Sequence, residues 1–485
     1  MSTQNFDIVV IGSGPGGYVA AIRASQLGFK TAIIEREAIG GVCLNVGCIP
    51  SKAMITATHM LHKAQHDFPT MGLNIKGGIS VDMKTLVNWK QSVCDKMSGG
   101  VNQLLKGNSV TVIKGEASFK NSKEISVKSA TGTDSITAKY FIIATGSRPI
   151  EIGGFPFDEK DICSSTGALA FNEIPKRVAV IGGGYIGLEI SSYLRKLGTE
   201  VTVIEANTTL LAGVVDPDCA QVVARKAVKD GIQIKYGAKA KSQKKIAGGF
   251  EVTFEFNGKD EKIVVDKILV TVGRRPNGDQ SNLKAAGITV DERGFVKVDA
   301  QRRTNISNIF AIGDICGQPM LAHKASHEGV MVPEIISGIN RVYDAKTVPA
   351  VVFTDPEIAA AGMTQAECIA KGYTDLLISK FPFAANGRAV SMIETDGFIK
   401  MIADKKTHVV LGVHIVGPDA SNLISEAALA IEMGARIEDI ALTIHPHPTL
   451  GETMMEAAEA TLGHAIHIIQ KPLNGAGKSA HTLAK

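Results

Sequence analysis

Cys43 and Cys48 stand with four residues between them in Gly40-Gly41-Val42-Cys43-Leu44-Asn45-Val46-Gly47-Cys48-Ile49-Pro50-Ser51-Lys52. Thiols this close can close into a disulfide and reopen without large chain movement, as a redox pair must; a structural disulfide or two unrelated buried thiols fit the same spacing. The chain has only 7 cysteines in 485 residues, which is not the count of a disulfide framework. A reducing compartment follows, and in one a disulfide is catalytic more often than structural. A second candidate lies far along the chain, in Ile444-His445-Pro446-His447-Pro448-Thr449-Leu450-Gly451-Glu452. His447 with Glu452 five residues later suits a base and its orienting acid, although histidines in a Pro-rich loop are also common as structural residues. A third is Asp314, at the end of the apolar run Asn308–Ile312. A carboxylate there points into the ligand crevice of an open α/β sheet, or else caps a turn.

Two nearly identical units supply the elements to position these groups. Phe6–Ile11 reads as a buried parallel strand, Gly12-Ser13-Gly14-Pro15-Gly16-Gly17 as a turn, Tyr18–Leu27 as a helix and Thr31–Ile34 as a second strand ending at Glu35. Gly12 permits the tight turn, Gly14 lets a pyrophosphate approach the backbone, and Gly17 lets helix and strand pack closely. The helix N-terminus faces the phosphates, and the Glu35 carboxylate accepts a ribose hydroxyl. The pattern recurs as Lys176–Ile181, then Gly182-Gly183-Gly184-Tyr185-Ile186-Gly187, a helix over Ile190–Leu197, and Val201–Ile204 ending at Glu205. Gly182, Gly184, Gly187 and Glu205 repeat the same roles. Ala206, Asn207, Thr208 and Thr209 follow without an arginine for a 2′-phosphate, which favours NAD over NADP. Two dinucleotide sites suit electron transfer between two bound cofactors; a duplicated fold with one dead site is the alternative.

Each unit returns through an apolar strand into a small-residue turn with Arg and Pro: Ala144-Thr145-Gly146-Ser147-Arg148-Pro149 and Thr271-Val272-Gly273-Arg274-Arg275-Pro276. These place boundaries near 149 and 275. From about 350, strands (350–353, 398–403, 409–416) mix with helices (421–433, 454–469), an α+β pattern, and 471–485 reads as a flexible tail. The expected fold class is therefore α/β: two Rossmann-like dinucleotide-binding domains plus a C-terminal α+β domain. The segments are 1–149, 150–275, 276–349, 350–470 and 471–485. Charge is nearly balanced (52 basic, 48 acidic residues, net +4) with no Lys/Arg run, so nucleic acid is not an expected partner. No apolar run approaches the length of a membrane span, and no metal site is expected. A strand pattern begins almost at Met1, leaving no room for a signal or transit peptide. The expected location is cytoplasmic, or the mitochondrial matrix if a transit peptide has been removed.

On these motifs, over roughly residues 5–470, the chain resembles the flavin-dependent pyridine nucleotide–disulfide oxidoreductases. Within them it is most similar to the branch that oxidises dihydrolipoamide for 2-oxo acid dehydrogenase complexes and glycine cleavage. The resemblance implies FAD on the first glycine turn and Glu35, with Thr145, Gly146 and Asp314 on the flavin side, and NAD on the second turn and Glu205. It implies Cys43 as the thiol that meets substrate and Cys48 as the thiol against the flavin. Cys48 would open the helix running through Ala53 to Ala64, whose N-terminus lowers a thiol pKa. Lys52, paired with Glu189, would stabilise the reduced flavin. The last domain would form a homodimer interface, so that His447, oriented by Glu452, acts on the disulfide of the partner subunit; His445 is the runner-up base. Gly115 matches an adenine-side contact, Ala322 a flavin contact and Gly273 a nicotinamide-side contact, and Tyr185 would cover the nicotinamide pocket. With no lipoyl domain at the N-terminus, the dithiol would arrive on a lipoylated acyltransferase or lipoyl carrier protein. A glutathione-reductase-like enzyme is the nearest rival, but it needs basic residues after the second acid. A mercuric reductase adds a cysteine pair near the C-terminus, whereas the last cysteine here is Cys368. A non-catalytic flavoprotein is at odds with Cys43, Cys48, Lys52 and His447 all being present.

Overall fold

The computed structural model describes residues 3–470; the tail expected at 471–485 lies outside the described residues. Strand β1 (Thr3–Ile11) leads into α1 (Pro15–Gln26), β2 (Thr31–Glu35), the short α2 (Gly41–Val46) and two long helices, α3 (Cys48–Thr70) and α4 (Met83–Gly107). Strands β3 (Thr111–Lys114), β4 (Glu116–Asn121), β5 (Glu124–Ser129), β6 (Gly132–Ile143), β7 (Ser147–Pro149) and β8 (Ile162–Cys163) follow, then the one-turn α5 (Ser165–Ala168). The repeat is β9 (Arg177–Ile181), α6 (Tyr185–Lys196) and β10 (Glu200–Glu205). After α7 (Pro217–Lys229) come β11 (Gln233–Tyr236), β12 (Lys239–Ile246), β13 (Gly249–Phe256), β14 (Lys259–Val265), β15 (Lys267–Val270), β16 (Arg274–Pro276), β17 (Ile309–Ala311) and α8 (Ala322–Ile336). The last part holds β18 (Ala350–Val352), β19 (Glu357–Gly362), α9 (Gln365–Ala370), β20 (Leu376–Pro382), α10 (Gly387–Met392), β21 (Phe398–Asp404), β22 (Val410–Gly417), α11 (Ala420–Met433), α12 (Ile437–Ala441) and α13 (Glu452–Leu462).

The described residues divide into two compact units. One holds the chain through Ala206 together with Gly231–Asp344; the other holds Asn207–Asp230 and the residues from Ala345 onward. In the first unit, one sheet runs β3-β2-β1-β6-β5-β4, with β17 also paired to β6. β1, β2, β3, β6 and β17 are parallel, and β4 and β5 join antiparallel. Ile8, Val9 and Val10 are fully buried, as a strand covered on both faces must be. β6 is long enough to pair β5 along its first half and β17 along its second. The second sheet, β11-β10-β9-β15-β8, is wholly parallel. A separate antiparallel sheet β12-β13-β14 follows it in the chain. The two returns pair with each other: β7 and β16 form an antiparallel ribbon with Arg148 opposite Arg275.

The second unit is built on the antiparallel sheet β18-β19-β22-β21-β20. Its core includes Phe381, Ile399, Met401, Val413 and Ile415 from the strands with Ala427 and Ala457 from α11 and α13. The segment 207–230, which follows β10 in the chain, groups with this sheet. Lys400 on β21 is buried between Asp216 Oδ2 at 2.9 Å and Asp218 Oδ2 at 3.1 Å, both at the start of α7. The observed α/β class with an α+β C-terminal part is the one the sequence predicts, but some bounds move. The last helix ends at Leu462, not near 469. Gly463 there turns left-handed (φ 82°), and the His464 amide donates back to Glu459 O at 2.8 Å. Helix α1 starts at Pro15, before Tyr18, because proline's fixed φ suits the first helical position.

The two glycine turns are superposable in their logic. A Cβ on Gly17 would lie 2.0 Å from Gly12 O, and one on Gly187 2.2 Å from Gly182 O. Gly12 and Gly182 adopt φ of 99° and 104°, a conformation L side chains rarely take. A Cβ on Gly14 or Gly184 meets nothing within 4 Å. Gly17→Ala is therefore expected to lower the melting temperature of the cofactor-free protein, with an overpacking cost of about 1–3 kcal/mol. Gly14→Ala should leave that melting temperature unchanged. Thermal denaturation of the two variants side by side checks this, and equal losses would refute it.

Candidate active site

The thiol segment is tied to the first glycine turn by close backbone approach. Gly41 (φ 58°) begins α2 where a Cβ would sit 2.8 Å from Gly14 Cα. The Gly40 amide donates to Ser13 O at 3.1 Å and lies 3.2 Å from Ser13 Oγ. Asn45, between the cysteines, pins α2 in place. Its Nδ2 donates to Gly41 O (2.8 Å) and Ile39 O (3.0 Å), and its Oδ1 accepts Ser98 Oγ of α4 (3.0 Å). Cys43 thus sits on α2, and Cys48 is the first residue of α3, after Gly47.

Both cysteines are reduced. A hydrogen bond between their thiol groups sets them apart: it pushes Cys43 up, helped by burial, and brings Cys48 down to about 7. Lys52 and the Cys48 amide at the helix start also favour the Cys48 thiolate, against burial and the Glu189 carboxylate. Such a pair titrates as a unit that holds one proton on Cys43 and one negative charge on Cys48. Lys52, one helical turn on, places Nζ 2.9 and 2.8 Å from the two carboxylate oxygens of Glu189 on α6. Glu189 itself is buried.

These groups line one cavity of about 550 Å³. Its first wall is the glycine turn with Gly12 and Gly14, then Glu35 and Gly115. A second wall carries Cys43, Cys48 and Lys52; a third carries Thr145, Gly146, Asp314 and Ala322. Tyr185 and Glu189, from the second dinucleotide turn and its helix, close it. Glu35 is buried: Oε2 accepts the Ser13 amide (2.9 Å) and hydroxyl (2.6 Å), and Oε1 accepts the Glu37 amide (2.7 Å). Thr145 Oγ1 is buried in this wall with no hydrogen-bond partner among the described residues. A helix N-terminus, an acid at the end of β2, an unmet hydroxyl, a carboxylate and a thiol pair lining one cavity fit an adenine dinucleotide carrying a flavin. Burial pushes the Tyr185 phenol above its usual range, with Arg274, Asp314, Cys48 and Glu189 as charged neighbours.

Gly182, Gly184, Gly187 and Glu205 come together away from this cavity. Glu205 Oε2 accepts the Gly183 amide at 2.5 Å, as Glu35 accepts that of Ser13. Gly17 lies behind the first turn as a packing residue, and Gly273 (φ 130°) accepts the Ile150 amide at 3.1 Å where the ribbon begins. The residues that brace the third wall are not apparent from the sequence as site residues. Arg274 donates to Ser147 Oγ and Ser147 O, both at 2.7 Å, and Ser147 Oγ donates to Asp314 Oδ2 at 2.5 Å. Asn277 Nδ2 donates to Thr145 O at 2.8 Å, and Arg148 grips Asp279 with two bonds of 2.8 and 2.6 Å. The signal was the repeated Gly-x-Arg-Pro of the two returns, which here pair as a ribbon.

In the second unit His447 Nδ1 lies 2.8 Å from Glu452 Oε1. Because a carboxylate only accepts, that nitrogen carries the proton and Nε2 is left basic. The His447 side chain is 79 % exposed. Burial would raise Glu452, but the Thr449 amide (2.8 Å to Oε2) and the His447 ring outweigh it and hold the carboxyl below its usual range. His445 has both ring nitrogens engaged, with Thr443 O at 2.8 Å and Glu426 Oε1 at 2.9 Å, so it is not a free base. Among the described residues no cluster of His, Cys, Asp and Glu is arranged to hold a metal, and no helix is long and apolar enough to cross a membrane.

Residues 6–329 match the family model for pyridine nucleotide-disulphide oxidoreductases, and residues 348–458 match its dimerisation domain. A dihydrolipoyl dehydrogenase of Bacillus subtilis is 49% identical over 464 residues, covering 96% of this chain and 98% of its own. One from Thermus scotoductus is 46% identical over 472 residues, covering 96% and 100%. Among solved structures, LpdA from Mycobacterium tuberculosis superposes with a TM-score of 0.85 at 27% identity, over 94% of this chain and 99% of that one. Relatives of this kind imply use of FAD and NAD, and the dimerisation domain implies a homodimer. With both family models in order along one chain, and relatives nearly half identical end to end, the chain belongs to the pyridine nucleotide-disulphide oxidoreductase family.

Proposed function

We propose that the chain oxidises protein-bound dihydrolipoamide to lipoamide through Cys43 and Cys48, with NAD as final acceptor. The observation that carries this reading is the divided thiol pair, Cys43 held protonated and Cys48 lowered, beside Lys52 in the cleft of the first glycine turn. The relatives' names agree with it. In the oxidised enzyme Cys43 and Cys48 form a disulfide. His447 of the partner subunit takes a proton from one substrate thiol at Nε2, and Glu452 steadies the ring through Nδ1. The substrate thiolate attacks Cys43 Sγ, the Cys43–Cys48 bond breaks, and Cys48 leaves as the thiolate its surroundings favour. The second substrate thiol attacks the first substrate sulfur and its proton passes to Cys43, whose bond to that sulfur breaks; lipoamide leaves, and the pair remains as the Cys43 thiol and the Cys48 thiolate. FAD would supply the redox group through which the electron pair of that dithiol reaches NAD. Gly12, Gly14, Glu35, Gly115, Thr145, Gly146, Asp314 and Ala322 would hold FAD, with Gly17 packing the helix behind the turn. Gly182, Gly184, Gly187, Glu205 and Gly273 would hold NAD, with Tyr185 as the flap between them. The dithiol would come on a lipoylated acyltransferase or carrier protein, in the cytoplasm or the mitochondrial matrix.

Steady-state assays decide the substrate: dihydrolipoamide with NAD should turn over well, and oxidised glutathione with NADPH poorly. The reverse preference would sink the reading. His447→Gln should lower dihydrolipoamide turnover by about 10²–10⁴-fold, the range for a general base. NADH-driven reduction of an artificial dye should be untouched, because it bypasses the dithiol step. In the reduced protein stripped of FAD, one thiolate should appear as pH rises through about 7. Lys52→Met removes a cation that favours the thiolate, so the midpoint must move up, by about a unit. Ultraviolet absorbance of the thiolate reads both midpoints, and an unmoved one would remove Lys52 from this role.

A further inference from the structure

The 3-10 turn Gly313–Cys316 presents Asp314 to the cleft, and two buried charged side chains, with a third half-buried beside them, lie beneath it. Glu328 is 0% exposed and Lys324 4%, one turn apart on α8. Glu328 Oε2 accepts the Gly313 amide at 2.7 Å. Lys324 Nζ donates to Gly313 O at 3.1 Å and Gly317 O at 3.2 Å, and stands 3.3 Å from Glu328 Oε1. Arg302 Nε approaches the same oxygen at 2.8 Å, at an angle too bent for a hydrogen bond, while its guanidinium stacks 3.9 Å over Tyr343. Burying Lys324 and Glu328 costs desolvation that a well-packed apolar group of equal volume would avoid. An apolar group could not hold the donor and acceptor of Gly313, whose left-handed φ of 76° aims the next residue.

We propose that Glu328 and Lys324 are positioning residues for cofactor binding: they fix the backbone on both sides of Asp314, so that its carboxylate is set before the flavin ribityl chain arrives. The inference rests on the FAD reading of this cleft. Asp314 is then braced twice, at its carboxylate by Ser147 and at its backbone by the buried charges. Charge balance alone would need neither contact with Gly313.

Glu328→Asp separates the two possibilities, because it keeps the charge facing Lys324 and Arg302 but is too short to reach the Gly313 amide. FAD release from the holoenzyme, followed by recovered flavin fluorescence, should quicken about tenfold, the size expected for one buried hydrogen bond. NADH affinity, set at the second turn, should not change. Lys324→Met should act in the same direction and replaces Glu328→Asp if that variant does not fold. Ile125→Val, a core change in the same unit, controls for general loss of stability. Release no faster than in wild type, or no faster than in an equally destabilised Ile125→Val, would overturn the proposal. Asp314→Asn that keeps FAD as tightly as wild type would overturn it too, and would place the failure in the FAD reading instead of the brace.

Discussion

The ion pair between Lys52 and Glu189 joins the helix that carries Cys48 to the helix of the second glycine turn. Lys52 is one turn along the helix that Cys48 opens; Glu189 is one turn along the helix that Tyr185 opens. A buried carboxylate needs a cation, and a lysine beside a thiolate needs a counter-charge to stay fixed. Each condition is met by the other residue. The pair therefore sets the distance between the thiol helix and the second dinucleotide helix, and with it the width of the cleft between Cys48 and Tyr185. Glu189 is the buried member of the pair, so losing Lys52 would cost more than losing Glu189.

The same economy of contacts appears in the two dinucleotide turns. In each, the acid at the end of the second strand accepts the amide of the turn's second residue, Ser13 for Glu35 and Gly183 for Glu205. The carboxylate is thereby oriented by the fold itself, since its rotamer freedom is spent in folding and not on binding. What differs is the chain that follows. After Glu35 it turns back through Gly40 and Gly41 and brings two thiols onto the turn. After Glu205 it leaves for α7 and the C-terminal sheet, held there by Lys400.

Much of this was legible in the residues, and the reasons are local. Both βαβ units announce themselves through continuous apolar strands, fixed glycine spacing and a terminal acid. Cys48 at a helix start, expected from the family resemblance, is where the structure puts it. Glu452 beside His447 follows from their spacing around a proline. The rest depends on partners far apart in sequence. Nothing near Ser147 points to Arg274 or Asp314, and nothing near Glu328 points to the Gly313 amide. The repeated Gly-x-Arg-Pro returns were visible as a repeat, yet their pairing into a ribbon is a tertiary fact. The placement of 207–230 with the C-terminal sheet is another, carried by a lysine in β21 that reads locally as an ordinary strand residue. The helix expected over 454–469 stops at Leu462 because Gly463 takes a left-handed conformation that ends it.

Ion pairs with a buried partner recur where the chain must hold something still: Lys52 with Glu189, Lys324 with Glu328 and Arg302, Lys400 with Asp216. As sources of stability such pairs are poor, because desolvation offsets most of their attraction. As positioning devices they have an advantage that apolar contacts lack: direction. A methyl group packs equally well after a small rotation, whereas a lysine reaching two carbonyls, or a carboxylate taking one amide, loses its bonds. Each of the first two pairs adjoins a group that meets the cleft, the thiol helix in one case and the Asp314 turn in the other. The third ties α7, which follows directly on the second acid, to a separate sheet. Charge has been buried in this fold where orientation matters more than the free energy it costs.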